Sequence, residues 1–139
     1  MSEEAAQPAA RPGPRPRAKT CAAVAVIVAL GLLSRRFPLP GVLAEHTGDA
    51  LYTVAAFGAL AAAAPSARGA VLAWAALLAS AAVEASQLLS WGWLVDLRST
   101  VVGALLLGQG FQAADLLAYV VGATAAWWLD RLARPAHAG

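Results

Sequence analysis

Residues 70–89 read AVLAWAALLASAAVEASQLL. At 1.5 Å of rise per residue this stretch makes a helix about 30 Å long, the thickness of a bilayer's hydrocarbon core. One ionisable side chain, Glu84, sits inside it, about 8 Å from its C-terminal end. A charge in hydrocarbon costs about 3 kcal/mol on insertion scales. Such a residue needs a partner, a water-filled cavity or a function. Gln87 lies three residues on and Ser80 four residues back, so all three share one helix face.

The rest of the composition points the same way. The chain has 139 residues, 60% of them hydrophobic and only 13% charged, with mean hydropathy +0.63. A soluble domain carries about 25% charge, so lipid is the natural solvent for this chain. Much of the apolar content is Ala, which suits close helix–helix contact. The net charge of +2 makes no case for a nucleic-acid interface, because the basic residues cluster by membrane topology and no aromatic–basic interleaving marks a polar surface. Cys21 is the only cysteine, which excludes an intramolecular disulfide.

The expected fold class is all-α: an integral membrane bundle of four transmembrane helices. Residues 1–18 read as a basic, Pro/Ala-rich disordered tail, with Pro8, Pro12, Pro14 and Pro16 against a regular helix. Residues 19–134 form the membrane domain, and 135–139 a short C-terminal tail. Lys19–Arg35 is the first span. It resembles a signal peptide, but Ser34-Arg35-Arg36-Phe37-Pro38 offers no small-x-small cleavage site. Phe37–Gly48 reads as a loop, Asp49–Ala64 as the second span with Asp49 at its N-terminal end, and Ala70–Leu89 as the third. Ser99–Gly110, with Gly103, Gly108 and Gly110, is too short to cross and reads as interfacial or re-entrant. Phe111–Leu132 is the fourth span, where Asp115, Tyr119 and Gly122 fall on one stripe.

Four spans put both termini on one side. Arg11, Arg15, Arg17, Lys19, Arg68, Arg131 and Arg134 fall on that side, against Arg35, Arg36 and Arg98 on the other. The positive-inside rule makes the termini cytoplasmic and the protein a multi-pass inner-membrane protein.

In an alternating bundle, Arg35, Asp49, Glu84, Gln87, Asp115 and Tyr119 all lie at the outer leaflet, with Arg98 in the connection beside them. Three readings fit this cluster. The first is ion pairing that holds the helix ends, with Arg98 on Glu84 or Asp115. The second is a clamp for a polar or anionic envelope ligand or a protein partner, with Arg as the head. The third is acid/base chemistry on a lipid-linked substrate by Glu84 or Asp115. No catalytic set is defined. Glu45, His46 and Asp49 are a thin basis for a metal site, and a lone loop histidine is ordinarily solvated, so neither metal nor cofactor is expected. Transport would need a homo-oligomer, because four short spans carry no broken inverted repeat.

The motifs Leu32-Leu33-Ser34-Arg35, Gly48-Asp49-Ala50-Leu51-Tyr52, Glu84-x-x-Gln87, Arg98-Ser99-Thr100-x-x-Gly103, Leu107-Gly108, Phe111 and Asp115-x-x-x-Tyr119-x-x-Gly122 resemble the bacterial membrane family called domain of unknown function 2809. More distantly, Glu84-x-x-Gln87, Arg98 and Asp115-x-x-x-Tyr119-x-x-Gly122 are similar to the VanZ-like proteins, linked to glycopeptide resistance. The resemblance implies a four-span envelope protein and marks Glu84, Gln87, Arg98 and Asp115. It brings no reaction.

Overall fold

A computed structural model describes residues 13–37, 40–108 and 110–134, with the side chains of 42–45 excepted. Residues 1–12 and 135–139, read above as tails, lie outside the described residues. Six helices follow in order: α1 (Arg17–Arg36), α2 (Val42–Ala63), α3 (Gly69–Ser86), α4 (Gly92–Ser99), α5 (Val101–Leu107) and α6 (Asp115–Ala133). The described residues contain no strand. Two of the helices, α1 and α3, are long and apolar enough to cross a membrane. Polar residues near their ends, His46 and Asp49 in α2 and Asp130 and Arg131 in α6, lower the hydropathy of the other two long helices.

Helix α2 is central. It packs against α1, α3 and α6, and α3 also packs on α6. Helix α1 leans on α2 alone and has no buried residue. The core lies in the α2–α3–α6 triangle, around Phe57, Ala61, Leu72, Ala76 and Ala126. On α3 the buried residues are Leu72, Ala76, Ser80 and Glu84, a strict four-residue stripe. Ser80 and Thr53, both wholly buried, hydrogen-bond at 3.0 Å and join α3 to α2. Small residues set the spacing of α2 and α6: a Cβ on Gly122 would collide with the Ala50 carbonyl oxygen.

Three boundaries differ from the sequence expectation. Helix α1 starts at Arg17, and the preceding segment is anchored rather than loose. The Arg15 guanidinium, buried among Phe57, Pro65 and Asp130, makes a two-pronged pair with Asp130 at 2.6 and 2.7 Å. It also donates to the carbonyls of Pro65 and Ala67. Arg134 adds bonds to Asp130 and to the Gly13 carbonyl, so both described ends of the chain meet at one end of the bundle. Helix α2 starts at Val42, not Asp49, behind Gly41 at φ 66°. Asp49 therefore sits in the second turn and caps nothing. Finally, the 90–110 connection holds two short helices. The Thr100 hydroxyl caps α5 through the Gly103 amide at 3.0 Å. A Cβ on Gly103 would strike the Leu97 carbonyl, which explains the glycine at this fold-back.

Gly122→Ala should cost about 1–3 kcal/mol, as overpacking does where the obstacle is backbone. Thermal unfolding of the purified protein should show a clear loss for this variant. Gly92→Ala, whose added carbon meets nothing within 4 Å, should show none.

Candidate functional site

The four long helices bring their polar ends together at the pole opposite Arg15. From α1 come Ser34 and Arg35, from α2 Asp49 and Tyr52, from α3 Glu84 and Gln87, and from α6 Asp115 and Tyr119. They surround a cavity of about 380 Å³, roofed by α5 and by Gly108 and Gly110. Of the seven residues expected at the site, Arg35, Asp49, Glu84, Gln87, Asp115 and Tyr119 line this cavity, and Arg98 does not.

Glu84 is its fixed point. The carboxylate is 1% exposed. One oxygen accepts from the Tyr119 hydroxyl at 2.9 Å and from Gln87 Nε2 at 3.0 Å. The other accepts from the Gln112 backbone amide at 2.7 Å. This one side chain thus ties α3 to α6 and to the segment that leads into α6. The i, i+3 spacing of Glu84 and Gln87 delivers the local donor, and Gln87 in turn lies over Gly108. A side chain on Gly108 would meet Gln87 Nε2 at 2.7 Å, and φ there is +65°.

The expected Arg98–Glu84 ion pair is absent. Arg98 lies on α4, where it is buried, and turns its guanidinium to the end of α3. It donates to the Ser86 carbonyl at 2.5 Å, the Ser86 hydroxyl at 3.1 Å and the Leu89 carbonyl at 3.2 Å. The last carbonyls of a helix have no partner of their own, and Glu84's oxygens are already occupied. Arg98 therefore closes a helix end.

Asp115, also buried, has His46 Nδ1 at 3.1 Å from its Oδ1. His46 is not a loop histidine, because α2 begins before it. With Asp49, these two residues place one ligand-type atom each within 4.8 Å of one another. The sequence shows His46 and Asp49 one helical turn apart only once α2 is begun at Val42. Tyr52, which donates to the Leu106 carbonyl at 2.9 Å and so holds α5 over the cavity, carries no separate signal in the sequence. Neither does the Gln112 amide, a backbone group.

Three lining groups remain open among the described residues. The Asp49 carboxylate and the Arg35 guanidinium make no side-chain hydrogen bond or ion pair. Gln87 Oε1 is buried with no partner. Two of these three are acceptors. The cavity holds three carboxylates, from Asp49, Glu84 and Asp115, against the single guanidinium of Arg35.

Residues 38–123 match the family described as Protein of unknown function (DUF2809). The chain belongs to this family. The matched range includes every cavity-lining residue except Ser34 and Arg35. No curated protein and no solved structure matches the chain.

Glu84 and Tyr119 should be energetically coupled. Removing either leaves a buried polar group without its partner, at about 1–3 kcal/mol. Glu84→Leu and Tyr119→Phe should each lower the unfolding temperature, and the double variant should fall less than their sum. Additive losses would show that the bond contributes nothing of its own.

Proposed function

We propose that this chain is a four-span inner-membrane protein with both termini cytoplasmic. Its acidic cavity, at the outer ends of the helices, binds the cationic group of a polar envelope ligand. The observation that carries this reading is the imbalance of the lining: three carboxylates to one guanidinium, with the unfilled groups mostly acceptors. An ammonium group supplies donors only, so it complements Asp49, Gln87 Oε1 and Asp115. An anion clamp led by Arg98 has no support, because Arg98 faces the α3 end.

Several features support the membrane setting. At about 1.5 Å per residue, the four long helices each run about 27–33 Å. The outer faces of α3 and α6 carry Val71, Trp74, Leu78, Leu117, Val121 and Leu132, and α1 carries Val26 and Leu33, all more than half exposed. Contiguous apolar surface of this kind needs a non-aqueous neighbour. The meeting of both described chain ends at the Arg15 pole agrees with an even number of spans. The charge bias places that pole inside. The likeness of Glu84, Gln87, Arg98 and Asp115 to VanZ-like proteins supports an envelope role. Glu84, fixed by three donors, is better suited to building the site than to moving a proton across it. A binding protein is therefore the better reading than a membrane enzyme.

The test is the charge preference of the cavity. Gln112 lines it with an exposed side chain. In a Cys21→Ala background, Gln112→Cys should react in intact cells with membrane-impermeant thiosulfonates. With each rate divided by that reagent's rate on a free thiol in solution, the cationic reagent should lead the anionic one by about tenfold, the low end of electrostatic focusing in a charged cleft. Asp49→Asn should shrink that preference. Faster reaction with the anionic reagent, or reaction only after permeabilisation, would contradict the proposal.

A further inference from the structure

A second cavity, about 420 Å³, adjoins the acidic one. It is a groove between α1 and α2 under α5. The two share Arg35, Gly48, Tyr52, Leu105 and Leu106. Beyond that boundary the groove is aliphatic, lined by side chains such as Val24, Val28, Leu51 and Val102. It exists because α1 packs on α2 alone, so the flank of that contact is uncovered. From Arg35 back to Val24 the groove follows twelve residues of α1, and the eleven steps between them rise about 16 Å. That is about half of a 30 Å hydrocarbon core, the depth of one leaflet.

Building on the acidic-cavity reading, we infer that the ligand is an amine-bearing phospholipid. Its acyl chain lies in the α1–α2 groove, its phosphate meets Arg35 at the junction, and its ammonium group enters the carboxylate cavity. The order of chemistry along the surface is the order along such a lipid: aliphatic groove, one guanidinium without an ion pair among the described residues, then carboxylates. Arg35 lines both cavities and so stands where a phosphate joins chain to headgroup. Guanidinium is the better match for a phosphate. The tail brings little selectivity, because any lipid chain is as apolar as the groove. Selection falls to Arg35, Asp49, Gln87 and Asp115. A helix from a second copy would cover the groove but leave the adjoining acidic cavity unfilled.

The experiment uses the full-length protein purified in detergent and read by native mass spectrometry, with a competition among added diacyl lipids. Phosphatidylethanolamine should be retained over phosphatidylglycerol by about tenfold or more, the worth of one hydrogen bond to a charged group. Asp49→Asn should remove most of that preference, whereas Arg35→Gln should weaken retention of both lipids alike, because both carry the phosphate. Ala59→Phe, at an exposed position lining only the groove, should weaken lipid retention. That variant should still be stabilised by soluble phosphoethanolamine. Equal retention of the two lipids by the wild-type protein, which needs no variant, would overturn the inference. Binding of phosphoethanolamine without lipid preference would overturn it while leaving the acidic-cavity reading intact. Failure of both ligands would remove both.

Discussion

A carboxylate buried at the end of an apolar helix is the constraint from which the rest follows. Glu84 has no ion pair among the described residues, so hydrogen bonds must offset its desolvation. Those bonds come from three places in the chain: the C-cap of α3, the second turn of α6 and the backbone just before α6. Meeting them fixes the angle of α3 on α6 and pins the return segment after α5. The cavity is what remains in front of this knot once Tyr52 holds α5 as a roof.

The opposite pole uses a different solution. There Arg15 and Asp130 form a two-pronged ion pair, and Arg15 also takes the carbonyls of the α2–α3 turn. A charged pair closes one end of the bundle, where both oxygens of Asp130 are bonded and, among the described side chains, only Arg134 Nε is buried without a partner. At the Glu84 end, Asp49 and Arg35 line the same space without closing on each other or on any other described side chain. One pole is built to stay shut, and the other presents unmatched charge. The proposed binding site rests on that contrast.

Much of this was legible in the chain. Glu84 stands out because a carboxylate within an apolar run is costly wherever it lands, and i, i+3 and i, i+4 spacing then names Gln87 and Ser80 as its neighbours. Asp115, Tyr119 and Gly122 follow from the same periodicity, and all three are buried on α6. What could not be read was partner choice. Arg98 has the opposite sign and the right reach for Glu84, yet it bonds carbonyls at the α3 end. Pairing by charge ignores the unsatisfied backbone that a helix end always presents. The start of α2 was hidden because Glu45 and His46 look like loop residues until Asp115, from the far end of the chain, is set beside His46. Arg15 was hidden by its proline-rich surroundings, since a single buried contact leaves no periodicity.

The most direct test of the knot at Glu84 is hydrogen exchange at the Gln112 amide, followed by mass spectrometry on the purified protein. Exchange reads local opening, and this amide lies outside every helix, so its protection depends on the carboxylate. The knot at Glu84 requires slow exchange at Gln112 in the wild-type protein. It requires loss of that protection in Glu84→Leu, which removes the acceptor, with no change in peptides from the α1–α2 contact. Fast exchange at Gln112 in the wild type, or equal protection in the variant, would contradict it.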